Sequence, residues 1–161
     1  MRAAVIAALL LGGCGQGGGA GNAAVPQDLE SAAIERGLIE RPGSTDIAGL
    51  YARDTDRMCI VRANGGYRAG AFVDYGDRIR CSGSGVVTRS GETLHVELSP
   101  ECSFEARLEG TRIVFPGSMP SACARLCTGR ASFAGLEVDR LSQSEAEARA
   151  MRDPDGAALC D

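Results

Sequence analysis

The 161-residue sequence predicts an all-β fold: an antiparallel meander forming a small barrel or curved sheet, with short N- and C-terminal helices. Three observations carry that prediction. From about residue 78 to 115, apolar and polar residues alternate with a period of two, the pattern of half-buried antiparallel strands. Two short glycine-containing turns set apolar residues face to face when the flanking strands fold back on them. Six cysteines are spread over residues 59–160, as in exported domains tied by disulfides.

The elements follow in order. Residues 27–36 read as a helix: Pro26 and Asp28 suit its start, Leu29, Ala32 and Ala33 share a face, and Gly37 and Pro42-Gly43 stop it. With the residues after it, this helical lead-in spans 27–46, and the β domain with its C-terminal helix occupies 47–161. Strands are expected at 49–53, 57–62 and 67–73, then a turn at Tyr75-Gly76-Asp77. The clearest alternation runs over 78–89, with Ile79, Cys81, Gly83, Gly85 and Val87 on one face and Arg78, Arg80, Ser82, Ser84 and Thr88 on the other. Leu94, Val96 and Leu98 then oppose His95 and Glu97. Cys102, Phe104, Ala106 and Leu108 oppose Ser103, Glu105, Arg107 and Glu109, and Ile113 goes with Phe115.

Turn chemistry fixes the pairing. A two-residue Ser90-Gly91 loop would face Val87 with Leu94 and Gly85 with Val96. A Gly110-Thr111 loop would face Leu108 with Ile113 and Ala106 with Phe115. Each puts an acid–arginine pair beside the loop, Arg89 with Glu92 and Glu109 with Arg112. A last strand is expected over 133–141. Ser142-Gln143-Ser144-Glu145 reads as a capping box ahead of a short alanine-rich helix, which Asp153-Pro154-Asp155-Gly156 ends. The total is seven or eight short strands.

Ahead of this domain stands a different kind of sequence. Arg2 is followed by an unbroken apolar run, residues 3–11, and then by Leu11-Gly12-Gly13-Cys14. The run is far shorter than the roughly 20 residues of a membrane-spanning helix, so 1–13 reads as a removed signal peptide. Leu11-Gly12-Gly13-Cys14 resembles the lipobox of bacterial lipoproteins. The resemblance implies that Cys14 is the acylated first residue of the mature chain and that the protein is held on the cell envelope by lipid. Gly15 follows Cys14 where an aspartate often marks inner-membrane retention in Gram-negative lipoproteins, which implies the outer membrane, facing the periplasm. Residues 14–26 then form a Gly-rich tether, a coil about 18 Å end to end over its 15–25 stretch.

Without residues 1–13, which hold Arg2, 148 residues and a net charge of −5 remain, enough for one domain. All 17 basic residues are arginine, and the acidic balance excludes a nucleic-acid footprint. No cofactor is expected. Trp is absent and aromatics are 4% of the chain, which leaves few platforms for sugar stacking.

Seven cysteines in an exported chain demand that one be explained. Lipidation of Cys14 leaves Cys59, Cys81, Cys102, Cys123, Cys127 and Cys160. A sequential pairing, Cys59–Cys81, Cys102–Cys123 and Cys127–Cys160, closes loops of 22, 21 and 33 residues. A swapped alternative joins Cys102 to Cys127 and Cys123 to Cys160. The other use of these thiols is a metal or redox site at Cys123-Ala-Arg-Leu-Cys127, where two thiols could share a helical face, but no second close pair completes a zinc ligand set.

Two groups of side chains could do chemistry. His95, the only histidine, faces outward with Glu105 across from it and Glu97 two residues along, an acid–base pair or simply a solvated cross-strand contact. Arg78 and Arg80, with Arg57, Arg62 and Arg68 as candidate neighbours, could hold an anionic group or form an ordinary solvated face. The expectation is a non-catalytic envelope lipoprotein, a binding or structural module whose partner is an envelope protein or cell-wall component. An enzyme using His95 and Glu105 is one alternative. The plan of lipobox, short linker and cysteine-tied antiparallel barrel also resembles small lipoproteins that inhibit lysozyme, and that resemblance implies an inhibitor of a cell-wall hydrolase. It is a likeness of fold, with no inhibitory-loop residue carried over.

Overall fold

Eight strands run antiparallel, each beside the next, and the last closes on the first to make a barrel. They are β1 (Gly49–Arg53), β2 (Asp56–Ala63), β3 (Gly66–Asp74), β4 (Arg80–Ser90), β5 (Thr93–Ser99), β6 (Cys102–Glu109), β7 (Arg112–Val114) and β8 (Glu137–Ser142). The computed structural model describes residues 28–35 and 45–161. The signal, Cys14, the tether and most of the lead-in lie outside the described residues. Helix α1 (Leu29–Glu35) buries no residue, and the Asp28 carboxylate accepts from the Ser31 N–H at 2.7 Å. Residues 45–48 are not helical, so the lead-in does not continue as a helix up to 46. Among the described residues no helix is long and apolar enough to cross a membrane.

Alternation builds the interior. Met58 and Ile60, Ala69 and Ala71, Leu94 and Val96 take every second position on their strands and are fully buried. Phe104, Phe115 and Phe133 stack with tilted rings, centroids 4.7 and 6.3 Å apart, within the same core. Side chains fill the barrel, as expected for eight strands. At one end, Tyr51 donates to the Ile47 carbonyl at 2.7 Å and Arg140 Nε donates to the Tyr51 oxygen at 3.1 Å. Near the other, a 3₁₀ helix (Ser121–Leu126) packs against β4 and β6.

A second apolar cluster lies outside the wall. The outward residues Cys59 and Val61 of β2 are covered by Ala148 of helix α2 (Glu145–Ala150) and by Leu159 and Cys160 of the tail. Gly70 makes that approach feasible: a Cβ there would sit 2.5 Å from the Leu159 carbonyl oxygen. The tail therefore wraps β2 and β3.

The β6–β7 register is the expected one, Leu108 opposite Ile113 and Glu109 opposite Arg112. The β4–β5 register differs by two residues. Val87 faces Val96 and Ser90 faces Thr93, so the loop is Gly91-Glu92 rather than Ser90-Gly91, with Gly91 at φ +63°. A shift of two keeps every side chain on its face, which is why alternation could not distinguish the two. The expected charge pairs also differ. Arg89 donates to the carbonyls of Gly91 and Thr45, while Arg112 pairs with Asp139 and Glu109 with Arg107. The last strand begins at Glu137 rather than 133, with Phe133 buried in the loop before it. The cap of α2 is Ser144, whose oxygen accepts from the Glu147 N–H at 3.3 Å, two residues beyond the expected box.

The disulfides are Cys59–Cys160, Cys81–Cys127 and Cys102–Cys123. Only the last was in the sequential pairing, and neither swapped bond forms. Cys59 and Cys81 cannot meet, because β3 separates their strands by about 10 Å and they face opposite sides of the sheet. Cys123 and Cys127 do not form a thiol pair on a helix face: one ties the 3₁₀ helix to β6, the other ties its end to β4.

Candidate functional site

The β5–β6 ladder positions the outward histidine. The Leu108 N–H donates to the Glu92 carbonyl at 2.7 Å, so Thr93 and Arg107 are a pair whose own backbone groups point away from each other. Two residues along, His95 and Glu105 are a pair of the same kind, with Cα atoms about 4.5 Å apart and side chains in contact. His95 Nδ1 lies 2.8 Å from Glu105 Oε1, and His95 Nε2 lies 3.1 Å from Ser103 Oγ. A ring proton on Nδ1 would donate to the carboxylate and leave Nε2 to accept from the hydroxyl. Ser–His–Glu is the order of an acyl-transfer relay. Here it lies on an open wall, with His95 and Glu105 side chains 52% and 60% exposed. Sequence reasoning brought His95 to Glu105, with Glu97 two residues along. Ser103, diagonal to His95, was missed, although i, j±2 neighbours on adjacent strands are within reach of long side chains.

The two arginines have different settings. Arg78 lies outside β4, in a turn where Asp77 and Arg78 both take left-handed backbone (φ +50° and +63°), and its carbonyl accepts from Thr128 Oγ1. Arg80 begins β4, and its guanidinium is paired with Asp155. Arg57 donates to the carbonyls of Asp54 and Asp56, and Arg62 pairs with Asp46 and Glu145. Among the described residues no three His, Cys, Asp or Glu side chains are grouped to hold a metal ion.

Two carboxyls elsewhere are perturbed. Burial, and then the nearby Asp54 charge, raise Asp56 above its ordinary value, and one of its oxygens is buried without a hydrogen-bond partner. Burial alone would raise Glu145 too, but the backbone N–H and guanidinium of Arg62 outweigh it and lower the net value. Both groups belong to the scaffold: Asp56 starts β2, and Glu145 joins α2 to its end. No family model, no curated protein and no solved structure matches this chain.

Proposed function

We propose that this chain is a lipid-anchored lipoprotein of the bacterial envelope, held at the outer membrane on the periplasmic side. In this reading its barrel is a non-catalytic binding or structural module. The observation that carries the reading is the cysteine arithmetic. Six of the seven cysteines pair with one another in three disulfides, and the seventh is Cys14, in the Leu11-Gly12-Gly13-Cys14 sequence. Three disulfides suit an oxidising compartment. A barrel filled by its own side chains recognises partners on its wall or turns. An envelope protein or cell-wall component fits that role, and an acidic net charge disfavours nucleic acid.

The test is the intact mass of the protein expressed from its full-length gene in a Gram-negative bacterium, with thiols alkylated before or after reduction. The expected product lacks residues 1–13, carries acyl groups and takes up alkylating agent at six sites only after reduction. An unacylated product whose thiols react before reduction would overturn both anchor and compartment.

The Ser103–His95–Glu105 chain favours a second reading, an esterase-like enzyme with Ser103 as nucleophile and His95 as base. It requires that a fluorophosphonate label Ser103 and that His95→Ala abolish the labelling. An unlabelled protein leaves the trio as a surface hydrogen-bonded cluster.

A further inference from the structure

The barrel wall has one place where its ladder stops early. Because Ser103 and Glu105 pair with Glu97 and His95 in the same manner as Arg107 with Thr93, their backbone N–H and C=O groups point away from β5, towards β7. On that side the ladder ends at Arg107 opposite Val114. The next position belongs to Pro116, which has no N–H to give, and its carbonyl is taken by Gly135 at 2.9 Å. Among the described residues, no backbone or side-chain partner meets the N–H and C=O of Ser103 or Glu105 on this edge. Beside it runs a groove lined by Glu105, Arg107, Val114, Pro116, Gly117 and Glu137. Its far side is open: a Cβ added at Gly117 would meet nothing within 4 Å.

We propose that this edge of β6 is a docking site for an extended, basic peptide segment of a partner protein, added as a short extra strand. The proposal rests on the reading of the barrel as a binding module and names the place and partner class. Unsatisfied strand edges template exactly this kind of pairing, and alternate side chains of the added strand supply specificity. The charge around the groove selects the partner. Glu105 and Glu137 stand on its two lips; Arg107 is paired with Glu109 and Glu137 with Arg53, which leaves the carboxylate of Glu105, bonded to His95, to meet an added strand. A lysine or arginine opposite Glu105 complements that carboxylate.

Amide hydrogen exchange reads the edge directly. In the free protein the amides of Ser103 and Glu105 should exchange fast, and those of Phe104 and Ala106, bonded to β5, slowly. An end-blocked alternating Val-Lys peptide of about ten residues should slow Ser103 and Glu105. Ser103→Pro removes the edge N–H at a position where proline is tolerated, and should bind this peptide at least about tenfold more weakly than Ser103→Ala, which keeps it. An alternating Val-Glu peptide should bind about tenfold more weakly than Val-Lys. Slow exchange of Ser103 and Glu105 in the free protein overturns the proposal whether or not the proline variant folds. So does peptide binding that is absent at millimolar concentration or unchanged by Ser103→Pro. Protection that grows with protein concentration alone would assign the edge to a second copy of the chain instead. None of these outcomes depends on acylation, so loss of the anchor in the mass measurement fails separately.

Discussion

Asp56 and Glu145 show how one kind of side chain acquires opposite roles from its surroundings. Asp56 is raised by burial and by Asp54, so its protonated form is favoured more in the folded chain than in the unfolded one. Its contribution to stability is therefore full below the unfolded value and is lost as pH rises through the folded one. Glu145 is lowered in net by Arg62, so its contribution is present above the unfolded value and is lost as pH falls through the folded one. Asp56→Asn should thus gain on the wild type as pH rises from acid to neutral, and Glu145→Gln should lose on it over the same range. Urea midpoints of the three proteins at several pH values check both signs, and parallel curves would refute both assignments. At this scale the sequence was partly legible. His95 and Glu105 could be placed on the same outward face because alternation fixes the face of each strand. Ser103 needed the diagonal geometry of neighbouring pairs, and the placing of Arg78 in a turn outside β4 needed two left-handed residues that no composition rule demands.

The strands were the most readable elements, because a period of two survives any error in detail. What the pattern cannot carry is the close approach of backbone to backbone. In the barrel a Cβ on Gly85 would lie 2.0 Å from the Glu97 carbonyl oxygen, because β5 presses directly on β4. Gly85→Ala should cost about 1–3 kcal/mol, through overpacking against backbone that cannot rotate aside. Gly66→Ala is the comparison: its nearest neighbour would be 3.9 Å away and its φ is ordinary, so the change should be within about 0.5 kcal/mol of neutral. Thermal unfolding of the two variants separates them, and equal losses would mean that the approach at Gly85 relaxes. The cap of α2 makes a smaller claim. Ser144→Ala removes the oxygen that accepts from Glu147 N and should cost about 1 kcal/mol, whereas Ser142→Ala leaves that bond in place. The expected box failed by two residues because Ser142 and Ser144 both precede a glutamate by three, and the sequence gives no reason to prefer either.

Disulfide connectivity belongs to the whole molecule, and for that reason it was the least legible. A sequential pairing minimises loop length, but thiols bond only where closure of the barrel leaves Cα atoms within about 7 Å. Cys59 looks outward, towards a tail that returns across β2 and β3 only after the barrel has closed, so its partner lies 101 residues away. The other two bridges close 46 and 21 residues. Chain entropy assigns them about 4.7, 4.0 and 3.3 kcal/mol in that order. Cys59→Ser with Cys160→Ser should therefore destabilise most and Cys102→Ser with Cys123→Ser least, read as urea unfolding free energies under non-reducing conditions. Packing sharpens the expectation. Loss of the first bridge also loosens Leu159 from the Gly70 notch and uncovers Val61, whereas Cys102 and Cys123 stay enclosed among the core side chains. The reverse ranking would show that strain or residual structure in the unfolded chain outweighs loop closure. The connectivity has its own check: cleavage after arginine without reduction should release the Cys59 peptide joined to the C-terminal peptide that holds Cys160. A Cys59–Cys81 peptide in its place would mean that the tail does not strap the barrel at all, and the destabilisation predicted for the first pair would vanish with it.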